Sequence, residues 1–447
     1  MTPVKKKFLS FVIPSIVAMW VFSIYTMVDG FFVSKYVGES SLSAVNLALP
    51  FVNTLFAISI LFATGTSTLV GIALGEKNYE RAEELFNLTV AAELISSVLL
   101  SIFCSLFLEE IVYFLGATTY LFKDVYTYLH IIVWFSPFFI LSYHFEVLIK
   151  VDGFPKLATL GVVSSAVTNI VLDYLFVGVF DFGIAGAAWA TGIAQMFSTL
   201  LFLYHFIFGN SKLNFKRTRW SFSTFPKIFS IGFGSFISEF STGFTIFLYN
   251  HYILKILSQK ALISYTVVSY INLFVFMTMV GLTQGMQPLV SYYYGKKEQA
   301  IYRKFLLFSV VGVAFLSLLF YGGSIFISDP VISLFISANE VSLFRDTKEA
   351  LFWFAPSFLF IGFNTVISGY FASVGRAKEA FVISVARGFG FIWFALFITS
   401  LTKNPKLLWL SAFFSEVTTL LLALAILLPL LKRHPTPYRE EAASRKI

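Results

Sequence analysis

The sequence is short of charge: of 447 residues only 13% are Asp, Glu, Lys or Arg, about half the share of an ordinary soluble domain. A hydrophobic fraction of 57% and a mean hydropathy of +0.82 leave an apolar surplus that one globular core cannot hide. That surplus must face lipid. A single cysteine, Cys104, excludes an internal disulfide framework and any cysteine-based zinc or redox site. Five scattered histidines offer no metal-ligand spacing, and there is no HExxH motif. No Ser/His or metal constellation gathers at one membrane depth, so neither an intramembrane enzyme nor a receptor-like sensor is expected. The net charge of +8 is read as membrane topology rather than nucleic-acid binding.

What the sequence has is long apolar runs and 56 phenylalanines. The runs fall at about 9–34, 41–74, 86–108, 125–150, 157–180, 184–208, 225–256, 262–294, 303–328, 346–372, 380–400 and 407–431, with boundaries good to about four residues. Each can cross about 30 Å of hydrocarbon as a helix, and helices are required because backbone polar groups must be satisfied within the segment. Lys5-Lys6-Lys7 before the first run resembles the start of a signal peptide. The run is too long for a signal h-region and no cleavage site follows, so it reads as an uncleaved first helix. The expected fold is an all-α membrane protein of about twelve helices.

Lysine and arginine orient it. With the N-terminus in the cytoplasm, roughly 23 of the 32 basic residues fall inside and about 8 outside. The richest connections, 209–224 (Lys212, Lys216, Arg217, Arg219) and 295–304 (Lys296, Lys297, Arg303, Lys304), lie inside, as does the tail with Lys432, Arg433 and Arg439. An odd helix count would scramble this bias.

The halves repeat. Gly65-Thr-Ser-Thr-Leu-Val70 with Gly75-Glu-Lys77 returns as Gly285-Met-Gln-Pro-Leu-Val290 with Gly295-Lys-Lys297. Trp134-Phe-Ser-Pro137 returns as Trp353-Phe-Ala-Pro356, and Asp152-Gly-Phe-Pro-Lys156 as Val374-Gly-Arg-Ala-Lys378. The offset spans six helices, so the halves are parallel, related by an axis along the membrane normal. This predicts an N-lobe at 1–208, a cytoplasmic linker at 209–224, a C-lobe at 225–431 and a cytoplasmic tail at 432–447, with a substrate cavity between the lobes.

An ionisable group inside a membrane segment is costly and is a functional-site hypothesis by default. Asp29 near the outer end of the first helix, Asp173 near that of the fifth and Thr191 in the sixth come to similar depth. Asn169 shares a helix face with Asp173, one turn deeper. Two carboxylates, an amide and a hydroxyl suit Na⁺, and equally protons, because burial and mutual repulsion favour the neutral form of one carboxylate. The plainer alternative is that each Asp caps a helix break or bonds backbone near Gly30.

The stretch Tyr25-Thr-Met-Val-Asp-Gly30-Phe-Phe-Val33 with Gly38 resembles the first helix of the multidrug and toxic compound extrusion (MATE) family. So do Gly65 to Gly75, the Val151-Asp-Gly153 and Pro155-Lys156 turn, Asn169-Ile-Val-Leu-Asp173, and Gly183-Ile-Ala-Gly-Ala-Ala-Trp-Ala-Thr191. The resemblance covers nearly the whole chain and, through Asp29 and Asn169-x-x-x-Asp173, is to the prokaryotic DinF-like branch. It implies that Asp29, Asn169, Asp173 and Thr191 form an N-lobe cation site coupling H⁺ or Na⁺ entry to drug exit. It further implies no cofactor besides that ion, small amphiphilic substrates and a prokaryotic cell (inner) membrane; the duplicated halves make a functional monomer sufficient, and the basic bias places both termini in the cytoplasm.

The second half is not a chemical copy. The repeat sends Asp29 to Tyr249 or Asn250 and Asp173 to Ala395, while Glu239, Arg387 and Glu416 stand inside C-lobe helices. Glu239 is a second coupling candidate by the resemblance; alternatively Arg387 neutralises Glu239 or Glu416 in a structural pair. Tyr25, Phe32 and Tyr143 are candidate contacts to an aromatic cation. Gln284 and Gln287 either line the cavity or bond across helices. Glu93, Glu146 and Lys150 are expected to reach the membrane interface. Pro14, Pro50, Pro137, Pro288 and Pro356 either kink helices or sit at helix ends. A flippase for a lipid-linked sugar or other lipid is the alternative function, disfavoured because Arg387 is the only basic residue well inside an expected span.

Overall fold

The computed structural model describes residues 2–216, 222–336 and 340–432. Among the described residues, twelve helices are long and apolar enough to cross a membrane. Helices 1–6 run Pro3–Val37, Ser43–Gly75, Tyr79–Leu106, Phe122–Asp152, Pro155–Val179 and Gly183–Phe208. Helices 7–12 run Phe222–Ile256, Lys260–Gly295, Gln299–Phe326, Val341–Ser373, Ala377–Thr402 and Ser411–Lys432. There is no β-strand among the described residues. Three short helices, Leu108–Phe114, Ser328–Ile332 and Pro405–Trp409, fill the connections 3–4, 9–10 and 11–12. By alternation these lie on the face opposite the chain termini, here called the distal face. Residues 217–221 of the expected linker, with Arg217 and Arg219, lie outside the described residues, as does the tail 433–447 with Arg433 and Arg439.

The duplication is visible in the backbone. Helices 2 and 8 both end in a glycine, and two residues later a lysine turns left-handed, Lys77 at φ 62° and Lys297 at φ 60°. Helices 4 and 10 are followed by Gly153 at φ 107° and Gly375 at φ 72°, a conformation that glycine adopts without a Cβ penalty. Pro14, Pro50, Pro137 and Pro288 all lie inside helices. Pro356 sits in a 3₁₀ turn, Ala355–Ser357, that interrupts helix 10. Helix-end placement therefore accounts for none of the first four.

The two lobes meet along helices 1, 2, 7 and 8. On the face of the termini this seam is closed to backbone contact. A Cβ on Gly65 would collide with the carbonyl of Ile228, and one on Gly232 with that of Leu61. Helices 2 and 8 repeat the arrangement: Gly75 abuts Tyr292, and Gly295 abuts Ile72. Lys7 Nζ donates to Tyr293 Oη at 3.3 Å, and Phe8 packs on Phe305. One apolar core, including Phe8, Val70, Ile228, Met286 and Val290, runs across both lobes here. The distal half of the N-lobe has a core of its own, with Val45, Leu55, Leu129, Ile132 and Ala187.

Candidate cation site and lobe interface

Helices 1 and 5 each change pitch just beyond their aspartate. A π-helical turn covers Val33–Val37 after Asp29, and another covers Tyr174–Val179 immediately after Asp173. Such turns widen a helix and recur at functional sites. The carboxyls of Asp29 and Asp173 lie close enough to act on each other. Asn169, one turn from Asp173, donates Nδ2 to Thr191 Oγ1 of helix 6 at 3.3 Å, and Thr191 donates to Ala187 O at 3.0 Å. The four residues singled out in the sequence are thus brought together.

Their oxygens are under-supplied with donors. Asp29 Oδ1, Asn169 Oδ1 and both carboxyl oxygens of Asp173 are buried with no hydrogen-bond partner among the described residues. Asn169 and Asp173 are 1% and 0% exposed and form the closed back of the site. Asp29 and Thr191 are half-buried and form its open side. Acceptors held together without donors suit a bound cation or proton. The donor set is all oxygen, as Na⁺ requires, and a proton shared between the carboxyls would satisfy two of the same atoms.

Three further residues border the site: Tyr25 and the buried Tyr128 are within electrostatic reach of both carboxyls, Tyr25 lying by Gln195 and Tyr128 by Thr191. Gln195 is anchored by Ser142 Oγ, which donates to its Oε1 at 2.7 Å. Gln195 lies four residues beyond Thr191, so the spacing that linked Asn169 to Asp173 could have found it. Tyr128 had no such signal among 19% aromatics. Phe32 stacks on Tyr36 at 5.9 Å, beside the π turn rather than against the carboxyls.

Among the described residues the C-lobe carries nothing comparable at the related place. Tyr249, opposite Asp29 in the repeat, is fully buried and stacks on Tyr265 at 4.8 Å. Arg387 lies in a third π-helical turn, Ala386–Phe391, and pairs with Glu416, Nε to Oε1 2.9 Å. Asn364 Nδ2 holds the other oxygen, Oε2, at 2.6 Å, and Phe276 lies under the guanidinium at 5.2 Å. Of the two partners considered for Arg387, the structure gives Glu416. Glu239 has no cationic partner among the described residues, and Tyr143 lies within its electrostatic reach.

Three expectations for charged residues fail. Glu93 is fully buried, because helix 3 begins at Tyr79, about two turns earlier than the apolar pattern suggested. Its Oε2 lies 2.6 Å from His144 Nδ1, both side chains at 0% exposure. Lys150 and Glu146, at 1% and 5%, do not reach the interface either. Side chains lean toward a helix's N-terminus, which in helix 4 directs them back into the membrane. Lys150 Nζ meets Glu146 Oε1 at 2.7 Å and, across the lobe boundary, Gln284 Oε1 at 3.0 Å. Gln284 Nε2 donates to Tyr143 Oη at 3.0 Å, so Gln284 bonds between helices. Gln287 lines the same small recess with Thr64, Ser67 and Pro288. Arg387 is therefore not the only basic group held inside a helix bundle.

Comparison with known proteins follows the same division of the chain. The family model described as MatE matches it twice, at residues 14–175 and 233–393, once in each lobe. The Multidrug export protein MepA of Staphylococcus aureus (strain NCTC 8325 / PS 47) is 23% identical over 393 residues, spanning 87% of this chain and 85% of that protein. The protein of the same name in Staphylococcus saprophyticus is 23% identical over 390 residues, spanning 86% and 84%. Among solved structures, one described as the outward-facing conformation of a multidrug resistance MATE family transporter of the MOP superfamily superimposes with a TM-score of 0.89. It is 19% identical and covers 97% of this chain and 98% of that one. A MATE in the straight conformation gives 0.90 at 19% identity, with the same coverage.

Proposed function

The chain belongs to the MatE family, and from that membership we propose that it exports small amphiphilic, often cationic compounds by alternating access, in exchange for H⁺ or Na⁺. The observation that carries the reading is the cluster of donor-starved oxygens at Asp29, Asn169 and Asp173. The names of the staphylococcal relatives support a multidrug substrate range. The lysine and arginine bias supports placing the face of the termini in the cytoplasm, which makes the closed seam the cytoplasmic side and opens the lobes outward.

Charge accounting favours a cationic substrate. Arg387 is matched by Glu416 and Lys150 by Glu146, and Glu93 lies against His144. Asp29, Asp173 and Glu239 remain without a basic partner among the described residues, so the helix interiors carry uncompensated negative charge. The same matching weakens the lipid-flippase reading, because neither Arg387 nor Lys150 is free to hold a phosphate.

In the cycle, Asp29 and Asp173 take the ion from the outside through the half-exposed Asp29 edge. Neutralising the pair removes the charge that attracts a cationic drug and lets helices 1 and 5 draw together at their π turns. The drug leaves outward, and the loaded protein turns inward, where the ion is released. Such exchange requires that the ion bind the drug-bound and drug-free proteins with different affinity, since a ligand indifferent to state shifts nothing. The test is efflux of a fluorescent cation such as ethidium from proteoliposomes, with pH and Na⁺ gradients imposed separately. Efflux that follows one gradient is expected and names the ion. Efflux indifferent to both would overturn coupling.

A further inference from the structure

We propose that Gln284 is the latch that holds the lobes shut on the face of the termini, and that its release admits substrate from that side; this rests on the alternating-access reading above. Gln284 belongs to helix 8 of the C-lobe, yet both ends of its amide are held by helix 4 of the N-lobe. Oε1 accepts from Lys150 Nζ at 3.0 Å and Nε2 donates to Tyr143 Oη at 3.0 Å. Positions 143 and 150 are seven apart, two helical turns on one face, so one side chain reaches both. Together with the glycine-packed seam beyond it, this forms the floor of the interlobe space.

The chemistry suits a bond made to break. Lys150 is 1% exposed and carries its own counter-charge, Glu146, one turn away on the same helix at 2.7 Å. When the lobes part, the N-lobe keeps a neutral pair and loses only two hydrogen bonds to an uncharged amide. A carboxylate at 284 would instead tie the lobes through an ion pair, whose separation strands a buried charge. A residue without hydrogen-bonding groups would leave the seam to apolar packing alone. The neutral amide lies between these extremes.

The latch is read by a single cysteine in a Cys104→Ser background, since Cys104 is the chain's only cysteine. Ser291→Cys places the reporter in the seam, where Ser291 is 1% exposed and packs against Gly71 of the opposite lobe. A membrane-impermeant maleimide is applied from the face of the termini in vesicles of matching orientation. Gln284→Leu is expected to raise the labelling rate about tenfold, the factor equivalent to about 1.4 kcal/mol. Tyr143→Phe should raise it by a smaller factor, and Gln284→Glu should lower it below the parent. Labelling that responds to coupling ion and drug but ignores all three substitutions overturns the latch alone. Equal increases from Gln284→Leu and Gln284→Glu also overturn it, since they would report lost packing. A parent reporter unaffected by ion or drug contradicts alternating access and the latch with it.

Discussion

Asp173→Asn is expected to reduce gradient-driven efflux to the background of empty liposomes while the protein purifies and folds as the parent does. The substitution keeps shape and removes the charge that the ion replaces. Asp173 is fully buried and its two oxygens have no donors; in the proposed exchange a proton or cation taken up there offsets its charge. The amide supplies two donors of its own to a site built of acceptors, and the exchange reaction loses its partner. Asp29→Asn should give the same loss, and the double variant should be no worse than either single one, because the two carboxyls act as a unit. Thr191→Val, which removes one oxygen and leaves both carboxyls, should slow transport only several-fold, the scale of one lost hydrogen bond of about 1 kcal/mol. Full activity in Asp173→Asn would show that the cluster is structural.

The second large effect is on stability. His144→Leu is expected to destabilise the N-lobe by about 3–5 kcal/mol, the cost of stranding a buried charge, because Glu93 at 0% exposure would lose the partner 2.6 Å away. The double variant Glu93→Leu/His144→Leu should recover most of that loss, since replacing both members of a buried pair with apolar groups is often neutral. Cys104, on the same helix as Glu93 and 5% exposed, reports the unfolding directly when the protein is heated with a thiol-reactive dye. A double variant as unstable as His144→Leu alone would mean that packing, rather than charge, sets the effect.

The architecture was legible because lipid leaves so few options. Twelve apolar runs could only be helices, and the repeated motifs at Gly75 and Gly295 return as the same backbone turn at Lys77 and Lys297. Asp29, Asn169, Asp173 and Thr191 were legible because carboxylates inside apolar runs stand out and helical spacing orders them. Gln195 was legible only through its four-residue spacing from Thr191, and Tyr128 not at all, being a common aromatic here. Lys150 and Glu93 were misjudged for physical reasons: the lean of helical side chains turned Lys150 inward, and the amphipathic first turns of helix 3 hid where it begins. The closeness of the lobes could not be read at all. Gly65 and Gly232 are ordinary glycines until the packing of helices 2 and 7 sets each against the other's backbone.

The most direct test of the central claim is the affinity of purified protein for a fluorescent cationic drug as pH and Na⁺ are varied, in the parent and in Asp173→Asn. If the oxygen cluster is the coupling site, H⁺ or Na⁺ will weaken drug binding in the parent. By reciprocity, drug will then release that ion, and in Asp173→Asn both effects will vanish while the drug still binds. Drug affinity that shifts with the ion equally in parent and variant would place coupling elsewhere in the molecule and contradict the account.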